Sequence, residues 1–165
     1  MKFTSLSEQK NILKKDIIKN IDNVLKHEKF ILGPEVNILE NKLKKIVNSK
    51  YCITVNSGTD ALLFALHSLN IKAGDEIITT PFSWISSAEV IKLIKAKPIY
   101  VDINDSFLID ENKIEKKISH KTKAILIVSL FGQMPNFRII KKISKKYSLP
   151  IIEDAAQSFG AKQNN

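Results

Sequence analysis

A short segment around Gly58 has the composition of a phosphate-binding turn. The residues Asn56-Ser57-Gly58-Thr59-Asp60 follow an apolar run and precede a predicted helix. The glycine lets the backbone turn tightly and approach a ligand, and the N–H groups of Gly58, Thr59 and Asp60 would lie at a helix N-terminus, which suits a phosphate. The segment is neither a Walker A loop nor a Gly-x-Gly-x-x-Gly loop. An ordinary capped turn between strand and helix is the simpler explanation of this motif alone.

A carboxylate and an amide follow the last apolar run of the chain. Asp154 ends the run that begins at Ile151, and Gln157 comes three residues later. A carboxylate at that place can hold a protonated ring nitrogen of a ligand, and the amide can donate to an oxygen of the same ligand. The alternatives are a cap or turn residue for the aspartate and a surface amide for the glutamine. Because strand side chains alternate, Glu153 and Asp154 are expected on opposite sides of the strand.

Trp84 is the only tryptophan, and it follows a predicted strand through Pro81. An indole there can stack on an aromatic cofactor ring, while a tryptophan packed in the core is the alternative. The three features together supply a phosphate cradle, a ring-stacking aromatic and an anion for a ring nitrogen. Pyridoxal 5′-phosphate needs these three contacts, and the anion keeps its pyridine ring an electron sink.

These side chains must be positioned by alternating strands and helices. Apolar, β-branched runs predict buried strands over residues 51–55, 76–80, 98–101, 124–130 and 150–154. Helical spacing predicts six helices. The first begins at a capping box, Ser5-Leu6-Ser7-Glu8, and ends at about residue 27, and the second and third begin at residues 34 and 60. The other three cover residues 84–93 approximately, 112–118 and 136–147. The alternation implies a three-layer α/β fold, an open and mainly parallel sheet with helices on both faces. Ligands of such sheets bind beyond the carboxyl ends of the strands, where residues 56–59, 80–84, 129–133 and 154–157 lie.

The composition limits the classes of function. The chain has 165 residues, 44% of them hydrophobic, and a net charge of +9. Arg138 is the only arginine and the lysines are spread along predicted helix faces, so nucleic-acid binding ranks last. Cys52 is the only cysteine, the three histidines show no metal-ligand spacing, and no apolar run is long enough for a membrane span or a signal segment. We therefore expect a cytoplasmic protein with no metal site.

Seven blocks of the chain, in order and at compatible spacing, resemble the N-terminal portion of the DegT/StrS-type sugar-nucleotide aminotransferases. Each block alone is weak, but the ordered set is highly specific and covers nearly the whole chain. The blocks are FILGPEV (30–36), NSGTDAL (56–62), GDEII (74–78), TPFSW (80–84), PIYVD (98–102), GQ (132–133) and IEDAAQSFGA (152–161).

The resemblance implies a fold-type I pyridoxal-phosphate enzyme. By that resemblance Gly58 and Thr59 bind the cofactor phosphate, Trp84 stacks on the ring, Asp154 pairs with the ring nitrogen and Gln157 contacts the phenolic oxygen. It also implies an N-terminal helical segment over residues 1–32 and an incomplete cofactor-binding large domain over residues 33–165. Members of the family form homodimers and move an amino group from an amino-acid donor, commonly glutamate, to a keto-sugar nucleotide.

Two parts of the family pattern are not found in the 165 residues. The Schiff-base lysine of the family follows in a Ser-x-x-x-x-Lys-type segment after a further strand, and Lys162 lies too close to Asp154 to be that residue. The C-terminal small domain is also absent. We therefore expect a truncated or split aminotransferase that alone does not transaminate and is marginally stable and aggregation-prone. The alternatives are a pyridoxal-phosphate sugar dehydratase and a non-catalytic remnant that binds the cofactor.

Overall fold

The computed structural model of the chain describes residues 5–163. The chain divides into two compact units, Met1–Thr54 and Val55–Asn165. No helix among the described residues is long and apolar enough to cross a membrane. All five predicted site residues belong to the second unit, so their geometry is set within that unit.

The described residues of the first unit form two helices, α1 (Ser7–His27) and α2 (Pro34–Ile46). The first helix ends where Glu28 takes the left-handed conformation and its N–H donates to the carbonyl of Val24. Pro34 occupies the first turn of α2, where the missing N–H of a proline breaks no helical hydrogen bond. The predicted break between the two helices is therefore confirmed.

The predicted capping box before α1 is wrong. The helix begins at Ser7 with Leu6 as its preceding residue, and no side chain caps it. Ser5 lies too far upstream for its hydroxyl to reach the third helical residue. Its Oγ instead accepts a hydrogen bond from the N–H of Ser7 at 3.4 Å.

The strand predicted for residues 51–55 is also wrong. Among the described residues no strand pairs with this segment, and Ile53 at its centre is 80% exposed. The backbone N–H of Thr54 donates to the side chain of Glu40, at 2.8 Å from Oε1, instead of to a neighbouring strand. A strand needs a backbone partner, and apolar composition does not provide one.

The second unit is built on a four-stranded parallel sheet. Its strands are β1 (Glu76–Thr79), β2 (Lys97–Tyr100), β3 (Thr122–Val128) and β4 (Ile151–Asp154), and they lie in the order β2-β1-β3-β4. Each lies within the range predicted for it or within two residues of that range. The parallel pairing follows from the helices that separate consecutive strands in the chain.

Helices cover both faces of this sheet. Four lie in this unit: α3 (Gly58–Ser68), α4 (Ser86–Leu93), α5 (Glu111–Ile114) and α6 (Phe137–Tyr147). One apolar cluster joins the sheet to α3 and α4, and a second cluster joins it to α5 and α6. The predicted three-layer α/β architecture is thus confirmed.

Side-chain alternation assigns each strand residue to one of the two clusters. In β1, Ile77 packs in the cluster with α3 and α4, and Ile78 packs in the cluster with α5 and α6. In β4, Ile152 packs against the first cluster and Ile151 against the second. The same alternation directs Asp154 to the α3 and α4 face, because it lies two residues beyond Ile152.

Candidate functional site

The strand order creates a switch point between β1 and β3. The chain leaves β1 for β2 on one side and continues with β3 on the other. In open parallel sheets ligands bind beyond the carboxyl ends of the strands at such a point. Trp84 follows β1 at this edge, Asp154 ends β4 and Gln157 lies just beyond it.

The start of α3 offers two free backbone N–H groups. Ser57 caps the helix because its Oγ accepts from the N–H of Asp60 at 3.1 Å and donates to Oδ2 of the same aspartate at 3.0 Å. The N–H of Asp60 is therefore used within the chain, contrary to the prediction that it faces a ligand. Within residues 5–163 no acceptor takes the N–H of Gly58 or Thr59.

Gly58 does not make the tight turn that was predicted for it. It is the first residue of α3, and its φ lies outside the left-handed region. A Cβ built on Gly58 would meet nothing within 4 Å. Neither backbone conformation nor packing within the described chain therefore requires a glycine here, and the open space in front of it suits the approach of a bound group.

Asp154 lies on the α3 and α4 face of β4 with both carboxylate oxygens hydrogen-bonded. Its Oδ2 accepts from the hydroxyl of Ser87 at 3.0 Å, and its Oδ1 accepts from the N–H of Ala156 at 3.2 Å. The neighbouring Glu153 accepts from Ser129 on the opposite face. Adjacent carboxylates of one strand thus have different surroundings, and each oxygen of Asp154 keeps lone-pair capacity for a further donor.

Two consecutive serines at the start of α4 connect the predicted site residues. Ser86 Oγ accepts from the hydroxyl of Thr59 at 3.0 Å, and Ser87 donates to Asp154. Sequence analysis missed both serines. The available signal was the pair itself at the start of an apolar helix, because a buried hydroxyl needs a hydrogen-bond partner.

Gln157 has one end of its side-chain amide engaged. Its Oε1 accepts from the backbone N–H of Phe131 at 2.9 Å. Because only the amide oxygen can accept from an N–H, this bond fixes the amide orientation and leaves the Nε2 group as a donor. The side chain is otherwise exposed at the carboxyl edge of the sheet.

Trp84 is 76% exposed, so it is not a core tryptophan. Its side chain lines a cavity of about 310 Å³ with Pro81 and Tyr100, and Asp154 does not line that cavity. Its backbone carbonyl accepts from the N–H of Ser87 at 3.3 Å, which ties the residue to the start of α4. The structure thus connects Trp84 to the site through its backbone carbonyl, and it brings the exposed indole into contact with none of the other four predicted site residues.

Three exposed phenylalanines form a cluster at the same edge of the sheet. The ring of Phe82 lies 5.7 Å from that of Phe107 and 6.5 Å from that of Phe131, centroid to centroid. They follow β1, β2 and β3 respectively. Sequence analysis missed this cluster, because its members are 25 and 24 residues apart and share no periodic pattern.

Hydrogen bonds lower the pKa values of three carboxyl groups among the described residues, Glu35, Asp110 and Glu115. The largest cause is a hydrogen bond with His27 for Glu35, with Lys113 for Asp110 and with Lys146 for Glu115. Among residues 5–163 no lysine, arginine or histidine forms an ion pair with Asp154. Its carboxylate is therefore open to a cationic group on a ligand.

Comparison with known proteins identifies the family. Residues 11–165 match the model of the DegT/DnrJ/EryC1/StrS aminotransferase family. The chain belongs to this family. A relative from Pseudomonas aeruginosa PAO1, UDP-2-acetamido-2-deoxy-3-oxo-D-glucuronate aminotransferase, is 45% identical over 162 residues, which cover 98% of this chain and 45% of the relative.

Solved structures confirm the fold of this family member. The crystal structure of S. venezuelae DesV superposes with a TM-score of 0.93 and 31% identity, over 96% of this chain and 43% of DesV. E. coli GDP-4-keto-6-deoxy-D-mannose-3-dehydratase with bound hydrated PLP gives a TM-score of 0.84 and 33% identity, over 90% of this chain and 40% of that protein. The chain thus spans less than half the length of these relatives.

Proposed function

We propose that this chain is the cofactor-binding part of a pyridoxal-phosphate-dependent aminotransferase of nucleotide-sugar biosynthesis. The amino group would pass from an amino-acid donor such as glutamate to a keto-sugar nucleotide. The observation that carries the proposal is the link between Thr59 and Asp154 through Ser86 and Ser87, since it connects a helix start that has two free N–H groups to a carboxylate that has no cationic partner among the described residues. The sugar aminotransferase named above, at 45% identity, supports the same activity.

The residues at the carboxyl edge fit pyridoxal 5′-phosphate. The free N–H groups of Gly58 and Thr59 suit a phosphate, and the space in front of Gly58 allows it to approach the backbone. Asp154, which has no cationic partner in the described chain, suits a protonated ring nitrogen. When bound, this cofactor supplies an electron sink next to the reacting carbon.

The side chains then have distinct roles in holding the ring. Asp154 keeps the proton on the ring nitrogen, because an ion pair favours the charged form of the base. Gln157 donates from Nε2 to the phenolic oxygen, since its Oε1 is held by Phe131. The exposed indole of Trp84 would supply a flat surface on which the ring could stack.

The proposal also covers the domain organisation of the chain and its part in the transfer of the amino group. Residues 33–165 would form an incomplete cofactor-binding large domain after an N-terminal helical segment over residues 1–32, and the complete enzyme would act as a cytoplasmic homodimer. The 165 residues bind cofactor but transfer no amino group. The family resemblance that supports this assigns the Schiff-base lysine and the proton transfers of transamination to a further segment.

Binding of pyridoxamine 5′-phosphate tests the site directly. This compound has the phosphate and ring of the cofactor but an amine in place of the aldehyde, so it cannot react with the lysines of the chain. As the only tryptophan, Trp84 reports binding by its fluorescence. We expect saturable quenching, and affinity about tenfold weaker in Asp154→Asn, because an ion-paired hydrogen bond is lost.

Glu153→Gln is the matched control for that variant. It neutralises the adjacent carboxylate of the same strand on the opposite face of the sheet. We expect its affinity for pyridoxamine 5′-phosphate to equal that of the unaltered chain. Equal affinities for all three proteins, or no saturable binding, would contradict the proposed site.

Turnover is a separate test. The chain is incubated with glutamate and a keto-sugar nucleotide, and 2-oxoglutarate is measured. We expect none from the 165 residues. Formation of 2-oxoglutarate above that of the Asp154→Asn variant would refute the assignment of the proton transfers to another segment.

A sugar dehydratase is the second candidate function. It is favoured by the 33% identity to the E. coli dehydratase over 90% of this chain. Mass spectrometry of nucleotide sugars from cells that lack the gene separates the two candidates. The aminotransferase predicts loss of an amino sugar and accumulation of its keto precursor, whereas the dehydratase predicts loss of a deoxy sugar.

A further inference from the structure

The start of α4 contains two buried serines in succession. Ser86 is 8% exposed and Ser87 is 1% exposed. Neither contributes to a cap, because α4 begins without a side-chain cap hydrogen bond. Their hydroxyls instead bond outward, one to α3 and one to β4.

Ser87 fixes the carboxylate of Asp154. The serine hydroxyl holds Oδ2 and the N–H of Ala156 holds Oδ1, so the plane of the carboxylate is set by two donors on opposite oxygens. A carboxylate that is hydrogen-bonded through only one oxygen keeps more rotational freedom than one that is bonded through both. With both bound, its remaining lone pairs have a fixed direction, which a ring N–H needs.

Ser86 constrains the hydroxyl of Thr59 in a comparable way. The two hydroxyls lie 3.0 Å apart and share one hydrogen bond. Each hydroxyl has one proton and can also accept, so one proton is used within the pair and the other remains for a ligand. When Thr59 donates to a phosphate oxygen, Ser86 can rotate its proton and donate to Thr59.

We infer that Ser86 and Ser87 are positioning residues, which hold Thr59 and Asp154 at a separation fixed by one helix. The inference rests on the proposed function, since the separation matters only for a ligand with a phosphate and a ring nitrogen. Neither serine contacts the ligand. Each acts through the residue to which it is hydrogen-bonded.

A double-mutant cycle tests this coupling. Affinity for pyridoxamine 5′-phosphate is measured for Ser87→Ala, Asp154→Asn and the double variant. We expect Ser87→Ala alone to weaken binding about threefold to tenfold, and to have no further effect when Asp154 is already asparagine. Ser86→Ala and Thr59→Val form the second cycle, with the same expectation.

Nitrogen NMR of ¹⁵N-labelled pyridoxamine 5′-phosphate measures the protonated fraction of the ring nitrogen. This fraction would not change if Ser87 served only to stabilise the fold. Ser87→Ala should lower the protonated fraction of the ring nitrogen, Ser87→Thr should restore it, and Ser86→Ala should leave it unchanged. Ser68→Ala, at an exposed helical serine that bonds within α3, is the control for removing a hydroxyl. All variants are compared at equal folded fraction by thermal melting.

The outcomes separate this inference from the proposed function. Absence of binding by the unaltered chain overturns both. Binding with additive effects in the two cycles, or an unchanged ring-nitrogen signal in Ser87→Ala, overturns the positioning role alone. Non-additive effects with rescue by threonine support it.

Discussion

Replacing Gly58 by alanine should separate folding from ligand binding. Gly58 is the first residue of α3, its φ is compatible with any residue, and an added Cβ would have no neighbour within 4 Å. Removing glycine at such a position reduces the entropy of the unfolded chain and stabilises a protein by about 0.4–1 kcal/mol. The melting temperature should therefore rise by about 1–4 °C.

The same methyl group should weaken binding of the phosphate. It would occupy the open space through which the phosphate reaches the N–H groups of Gly58 and Thr59. A hydrogen bond to a charged group contributes about 1.5–3 kcal/mol, so loss of one bond predicts about tenfold to one-hundredfold weaker binding of pyridoxamine 5′-phosphate. Stability and affinity thus change in opposite directions.

Thermal melting by circular dichroism and titration of Trp84 fluorescence measure the two effects. Gly74→Ala is the control for adding a methyl group away from the site, because the space around its Cβ position is equally open. It differs from Gly58 in its φ of +86°, which lies in the left-handed region that alanine rarely adopts. It lies before β1, at the amino end of the sheet, and should lose about 1–2 kcal/mol of stability with unchanged affinity. Affinity retained in Gly58→Ala would refute phosphate binding at α3, and a lowered melting temperature would show that the chain itself requires the glycine.

Three further predictions address the rest of the site and the fold. Trp84→Leu should change stability by less than about 0.5 kcal/mol because the side chain is exposed, yet calorimetry should show about threefold to tenfold weaker cofactor binding from lost stacking. Gln157→Leu should lower the free energy of unfolding by about 1 kcal/mol in urea titrations, because the backbone N–H of Phe131 loses its acceptor. The same change should also weaken binding of the cofactor. Ile53→Ala should lower the free energy of unfolding by less than about 0.5 kcal/mol in the same titrations, whereas Ile125→Ala in the buried centre of β3 should lower it by about 2–5 kcal/mol. A large loss of stability in Ile53→Ala would show that its segment is packed.

The strands of the sheet could be predicted because their signal is local. β3 is a continuous run of buried apolar residues between polar ends, and a strand covered on both faces requires such a run. The same rule failed at residues 51–55, where the composition is similar but Ile53 is exposed. Composition shows that a segment can form a strand, whereas pairing depends on a partner elsewhere in the chain.

The site was predicted only in part for a related reason. Thr59, Asp154 and Gln157 occur at strand or helix ends, where the fold class directs attention. Ser86 and Ser87 act through contacts across 27 and 67 residues of sequence. No periodicity or motif encodes such pairs, so these contacts become visible only in the structure, where α4 packs against α3 and Ser87 reaches β4.

The position of α3 explains why residues so far apart in the chain meet. This helix precedes β1 in sequence, yet it packs against α4 and β4 on one face of the sheet. Its first residues therefore lie near the carboxyl end of β4, where the alternation of side chains directs Asp154 to the same face and Glu153 away from it. A shift of β4 by one residue that moved Asp154 to the place of Glu153 would also move Glu153 to the place of Ile152, against the apolar cluster with α3 and α4, and burial of that charge opposes the shift. The apolar core thus determines which of two adjacent carboxylates lies on the α3 and α4 face, and α4 connects that carboxylate to the start of α3 through Ser86 and Ser87.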